Sequence, residues 1–332
     1  MTRTVFLIAC LAAIVTAQDR LTFSGKQGPG KGKRIVLISG DEEYRSEQAL
    51  PQLARILTDR YGFDCTVLFA IDPETGTVNP ARLDNIPGLE TLQRANLLIL
   101  FTRFRDLPDD QMKHIVDYLQ SGRPIVAMRT ATHAFDLKTS KTYQRYSWNN
   151  KDWEGGFGRQ ILGETWINHH GRHAVQSTRA IVVKGQEGHP ILRGIASGDI
   201  WVPTDVYGVR LPLPGDSQPL LLGAVLAGMR PDDPPVAGKL NDPMMPIAWT
   251  KTYTSSTGKS GRVFTTTMGS AQDISNEGLR RLLVNAAYWT LGMERQIPPR
   301  SNVDLVGSYQ PIPFGFGGFK KGQKPSDLNP QE

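Results

Sequence analysis

The 332-residue sequence predicts an α/β protein built on a doubly wound, mostly parallel sheet, a single domain with a long insertion. Three observations carry that expectation. Between Arg34 and Gly122 short apolar runs alternate with stretches of helical periodicity, the pattern of strands joined by crossover helices. The runs are apolar at successive positions rather than alternate ones, which suits strands buried on both faces. After a stretch without clear period, a further strand–turn–helix unit follows between Gly261 and Ala286, so the chain is expected to return to the same sheet.

The first strand is Arg34-Ile-Val-Leu-Ile-Ser-Gly40. A helix over about residues 49–61 places Leu50, Leu53, Ala54 and Leu57 on one face, and Pro51 restricts its start because proline is tolerated only in a first turn. Strands follow at 63–69 and 95–101. Pro108, Asp109 and Asp110 open a second helix, the acids suiting the positive end of its dipole, and Gly122 closes it. The fourth strand is Pro124 to Met128. From 134 to 172 tryptophans mix with glycine, asparagine and charge, which reads as an excursion over the sheet edge with one short helix near 158–162. Later strands are expected at 175–184, 220–226, 245–251 and 261–269, and a last helix carries Leu279, Leu282, Leu283 and Ala286.

The ends differ from this body. Arg3, an apolar run from Val5 and the small residues before Gln18 read as a secretory signal over residues 1–17, which predicts export to a periplasmic or extracellular space. The run is too short to span a bilayer. Cleavage there removes Cys10 and leaves Cys65 alone, so no internal disulfide is expected. Residues 18–32 are expected to be a flexible linker, residues 33–293 the domain, and residues 294–332 an extended Pro/Gly-rich tail whose last ten or so residues are loose. The formal charge of +6 is spread along the chain without an aromatic-interleaved basic motif, so no nucleic-acid partner is expected.

Motifs for dinucleotides, P-loop phosphates, nucleophile elbows of the Gly-x-Ser-x-Gly type, His-Glu-x-x-His metals and Cys-x-x-Cys chemistry are absent. What remains is placement. In a parallel sheet the polar residues after each strand meet at one edge: Asp41, Glu42, Glu43 and Tyr44; Arg103 to Arg105; Arg129, Thr130 and His133; and Ser270 with Asp273. His169, His170 and His173 add imidazoles. That density could hold a transition metal on His133, His169 or His170, and His173, with Glu154 or Asp205 as oxygen donor. Alternatively the imidazoles, with Trp153 and its neighbours, line a sugar cleft, since aromatic rings cover the apolar faces of pyranoses. A third reading is His–carboxylate pairs that tie down a loop. The sugar cleft is the expectation, with a small carbohydrate as partner and no resident cofactor.

Several segments resemble the ThuA-like (trehalose utilisation) family over about residues 33–293: the first strand with its polar end, Ala127-Met-Arg-Thr-Ala-Thr-His133, Glu187-Gly-His-Pro-Ile-Leu-Arg-Gly194, Thr204-Asp-Val-Tyr207 and Gly261-Arg-Val-Phe-Thr-Thr-Thr-Met-Gly-Ser270. The resemblance implies a fold similar to class I glutamine amidotransferases (a flavodoxin-like layering) and a role with trehalose or related sugars, keto-sugars included. The sequence departs from that family in having Ser270 where a histidine is frequent, one acid (Asp205) rather than two near Tyr207, and Glu42-Glu43-Tyr44 where a histidine often follows the first strand. Thr130 stands in the turn where amidotransferase chemistry needs a cysteine, so glutamine hydrolysis is excluded. The expected function is conversion of a sugar or keto-sugar derivative, with His133 and Glu42 or Asp205 moving protons and Arg103 and Arg129 stabilising oxyanion charge. A non-catalytic carbohydrate-binding or assembly module and a metal-dependent hydrolase are the alternatives.

Overall fold

The computed structural model describes residues 19–330; the expected leader, residues 1–17, lies outside them. One sheet of ten strands organises the chain: β1 (Arg20–Phe23), β2 (Arg34–Gly40), β3 (Asp64–Phe69), β4 (Leu97–Thr102), β5 (Ile125–Met128), β6 (Thr178–Val182), β7 (Trp201–Val202), β8 (Gln218–Val225), β9 (Met245–Thr254) and β10 (Ser260–Thr266), in the order β1-β3-β2-β4-β5-β10-β9-β8-β6-β7. Strands β3, β2, β4, β5 and β10 are mutually parallel. The other pairings are antiparallel, so the sheet is mixed rather than mostly parallel. Connection length explains the difference: residues 255–259 join β9 to β10, far too few for the crossover that parallel pairing requires.

Three helices pack on the parallel half. Ile35 and Leu37 of β2 share a core with α1 (Ser46–Tyr61) and α3 (Glu277–Thr290), while Val36 and Ile38 share another with α2 (Asp109–Gln120) and the 3-10 turn Leu89–Arg94. Successive residues of one strand therefore serve opposite faces, which is why its sequence is apolar throughout.

Helix α1 starts at Ser46, three residues before the expected 49, despite Pro51. Tertiary bonds overrule the local preference. Ser46 Oγ meets Ser39 Oγ at 2.8 Å and accepts the Asp41 N–H at 3.0 Å, pinning the first turn to the end of β2. Proline at 51 then costs one intrahelical bond rather than the turn.

Both ends are ordered where looseness was expected. Residues 20–23 pair with β3 and bury Leu21 and Phe23. Gly25 follows because a Cβ there would lie 2.0 Å from the Gly62 carbonyl oxygen, so its glycine serves close approach and not flexibility. At the other end, Gln323 O accepts the Val78 N–H at 2.8 Å, Pro325 is buried in a 3-10 turn, and Leu328 packs on the core.

Glu47 lies fully buried in the first turn of α1, and burial pushes its carboxyl up to about 7, with Arg45 opposing. A folded pKa above the ordinary 4.5 means stability is full below 4.5 and is lost as pH rises through about 7. The gap corresponds to on the order of 3 kcal/mol at pH 8. Glu47→Gln is therefore expected to flatten the stability–pH curve, gaining most at pH 8 and little at pH 5; equal unfolding midpoints for the two proteins at pH 8 would refute the assignment.

Candidate functional site

The C-terminal ends of β2, β4, β5 and β10 converge on one edge, and the insertion, the loop after β7 and the tail close over it. Its floor is Arg129, which follows β5 with φ 43 and is fully buried. A side chain held in the left-handed region immediately after a parallel strand is strained and needs strong surroundings to keep it there. The guanidinium donates to the carbonyls of Asp205 (2.8 Å) and Thr267 (2.6 Å), to Tyr44 Oη (3.0 Å) and to Asp205 Oδ1 (2.8 Å), and lies over the rings of Tyr207 and Tyr44 at 3.8 and 4.4 Å. Burial opposes its charge, but Tyr207, Tyr44 and Asp205 outweigh burial and hold the proton on. The same pairing, with His169 and His173, keeps the Asp205 carboxyl well below the usual carboxylate range although burial pushes it up.

A second ion-pair layer comes from β2 and β4. Glu42 Oε1 accepts from Arg103 Nη1 and Oε2 from Arg105 Nη2, the latter at 2.8 Å. Arg105 is fully buried, and burial pulls its pKa down to about 10 against the pull of Glu42 and Asp41. Arg103 is clasped between the rings of Phe104 (4.6 Å) and Phe316 (4.9 Å) and reaches Glu43 Oε2 at 3.4 Å. Burial and Asp41 push the Glu43 carboxyl up.

Imidazoles form the wall. His169 Nδ1 lies 2.7 Å from Asp205 Oδ2. His173 is held at both nitrogens, Nδ1 3.2 Å from Asp205 Oδ1 and Nε2 3.3 Å from Glu43 Oε1. His133 packs among Phe104, Trp166 and Tyr207 with Nδ1 3.1 Å from Thr132 Oγ1. Burial, then Arg103, Arg129 and His169, pull its pKa well below 6.5, so the ring is neutral at neutral pH. Trp148 bridges Phe104 and Trp166, completing an aromatic lining.

The expected residues thus divide. Glu42, Glu43, Tyr44, Arg103, Arg129, His133, His169, His173, Asp205 and Tyr207 are brought together. Asp41 and Thr130 lie beneath them as a brace: Asp41 Oδ1 takes the N–H groups of Glu43 and Tyr44, and Oδ2 takes the Thr130 hydroxyl. Ser270 is turned away to cap the Asp273 turn. His170 points to the Leu240 carbonyl at 2.9 Å, because neighbours in an extended segment face opposite sides. Trp153 packs on Tyr146 under Arg145, outside the cleft, and Glu154 pairs with Arg210. Of the metal ligands weighed from sequence, only His169, His173 and Asp205 converge, their ligand atoms within 4.8 Å of one another. His189 caps a turn, accepting the Ile191 N–H at 3.2 Å.

The sequence led us to expect a tail strapped against the domain, but not that it closes the site. Phe314 packs on Tyr44 and His173 (5.5 and 5.4 Å), Gly315 N donates to the Glu43 carbonyl at 2.8 Å, and Arg45 Nη2 donates to Gly315 O. The Phe/Gly run was visible at residues 314–319, but nothing local says that it returns to the end of β2.

Residues 34–290 match the family model described as trehalose utilisation, ThuA. The chain belongs to the ThuA family. The fold is similar to that of a ThuA-like protein from Parabacteroides merdae, with a TM-score of 0.50 and 16% identity over 79% of this chain and 90% of that one. A cold-adapted beta-galactosidase from Rahnella sp. R3 is similar over 81% of this chain and 32% of its own, with a TM-score of 0.41 and 13% identity. No curated protein matches the sequence. Among the described residues no helix is long and apolar enough to cross a membrane. In this ThuA-family chain the residue with positive φ at the end of β5 is Arg129, so an arginine holds the strained turn.

Proposed function

We propose that this protein, exported by its leader, acts on a sugar or keto-sugar derivative by acid–base chemistry in the aromatic-lined cleft. The observation that carries the reading is His133: a neutral imidazole among Phe104, Trp166 and Tyr207, beside the guanidinium of Arg103. Among the described residues only Nδ1 of this ring is hydrogen-bonded, to Thr132, which leaves Nε2 to accept a proton. Arg103, one-fifth exposed, is placed to stabilise negative charge on a substrate oxygen. Glu42 and Asp205 act by position in this scheme, Glu42 orienting Arg103 and Asp205 orienting the wall histidines. The family's trehalose-utilisation description supports the substrate class, and helices on both faces of the parallel half support the doubly wound, amidotransferase-like layering.

Turnover of a panel of reduced and 3-keto disaccharides should fall by about 100-fold or more in His133→Ala; undiminished turnover would remove His133 from the chemistry. The pH profile adds a sign. A folded pKa below the ordinary 6.5 keeps the base form as pH falls through 6.5, so kcat/KM is expected to hold its plateau below that value. Stability moves the other way, because the unfolded chain takes up the proton first, and the contribution present above pH 6.5 is lost on acidification.

One observation favours a second reading: both oxygens of Glu42 and both of Asp205 are occupied by cationic or imidazole partners, leaving neither carboxylate free for proton transfer. A carbohydrate-binding module would show saturable binding to the same panel without turnover.

A further inference from the structure

We infer that His169, His173 and Asp205 form a binding site for one divalent transition-metal ion. The inference rests on the cleft described above but not on its proton chemistry. The three residues offer two imidazole nitrogens and a carboxylate, and their ligand atoms lie within 4.8 Å of one another. Atoms so spaced need shift by only on the order of 1 Å to meet a common centre at the 2.0–2.2 Å usual for zinc. Two histidines separated by three residues, as in His169-His-Gly-Arg-His173, also fall in the spacing such sites use.

The surroundings of the two histidines fit such a site. Glu43 Oε1 lies 3.3 Å from His173 Nε2, and Glu43 is buried. Carboxylates placed in this way orient metal-binding histidines. His173 Nδ1, on the other side of the ring, faces Asp205 Oδ1 at 3.2 Å. His169 Nδ1 stands against the other oxygen of the same carboxylate at 2.7 Å. Arg129 occupies one lone-pair direction of Asp205 Oδ1 and fixes the carboxylate without filling its remaining ones. The two histidines are about a third exposed, which leaves the outer side of the centre open to water or substrate. His133 sits beyond Trp166, whose ring lies 5.6 Å from His133 and 5.8 Å from His169, so a metal here would polarise a substrate oxygen beside the proposed base.

Protein stripped with a chelator and titrated with Zn²⁺, Mn²⁺ and Co²⁺ tests this, with bound metal counted by mass spectrometry and affinity measured against a chromophoric chelator. Wild type should take up one ion per chain. His169→Ala and His173→Ala should each weaken binding at least 10-fold, with melting curves verifying that both are folded; both side chains lie at the surface of the cleft. His170→Ala, whose ring points to Leu240, should bind as wild type does. Absence of stoichiometric uptake of all three metals, or uptake undiminished in both histidine variants, overturns the site. The outcomes separate from those for the proposed function: sugar turnover by a chain that binds no metal removes only the metal, and one ion per chain with no sugar binding or turnover removes only the sugar.

Discussion

Arg129→Ala is expected to cost about 3–5 kcal/mol of stability, the range for removing one partner of a buried ion pair. The guanidinium serves four acceptors at once: two backbone carbonyls, the Tyr44 hydroxyl and Asp205, all sealed from water. Truncation leaves these acceptors with no donor from below and removes the cation beneath two tyrosine rings. Arg129→Lys separates charge from shape. It keeps the positive charge but lacks the planar fork, so it should recover only part of the loss. Urea unfolding monitored by fluorescence gives both values. A loss below about 1 kcal/mol for Arg129→Ala would show that the floor of the site is not held by this residue.

Removal of the tail beyond Gly307 is expected to have the largest effect on function. The ten strands and three α-helices all lie before it, so far-UV circular dichroism should remain close to that of the whole chain even though Tyr309, Phe314 and Leu328 no longer pack on the core. Tyr44 and His173 would lose the Phe314 ring, Glu43 its backbone partner at Gly315, and Arg103 one of its two aromatic covers. A donor or imidazole that wanders by 1 Å forfeits on the order of 100-fold in rate. Sugar turnover or binding should therefore fall by at least that factor, and Phe314→Ala alone should reproduce a substantial part of it. A truncated chain with unchanged activity would make the strap an ornament of the fold. Phe316 offers a finer comparison, since the residue is 64% exposed and its ring lies against Arg103.

Much of this architecture was legible in the amino-acid order because the signals were local. The β2 and β4 runs are apolar because both faces are covered, and the α2 stripe of Met112, Ile115, Val116 and Leu119 repeats at helical spacing. The strand-end groups could be assembled from topology alone: parallel strands leave their following residues on one edge, and Glu42, Arg103, Arg129 and His133 did meet there. Long-range partners were not legible. Nothing near Arg105 says that Glu42 neutralises it, nothing near Ser46 says that two hydroxyls start a helix ahead of a proline, and nothing near Phe314 says that it covers Tyr44. Direction was hidden too, since an isolated strand carries no sign of whether its neighbour runs with it or against it.

The two outermost strands, β1 and β7, are four and two residues long. An open sheet is a ladder with two free ends, and each end exposes N–H and C=O groups that a second molecule could extend by pairing. Here those end rungs are so short that a neighbour finds almost no template, although eight strands stand between them. The length of β7 thus bears on whether the molecule remains separate from its copies in concentrated solution. Extending it by three or four β-branched residues should make the protein self-associate, and the remainder of the sheet would need no change for that to happen.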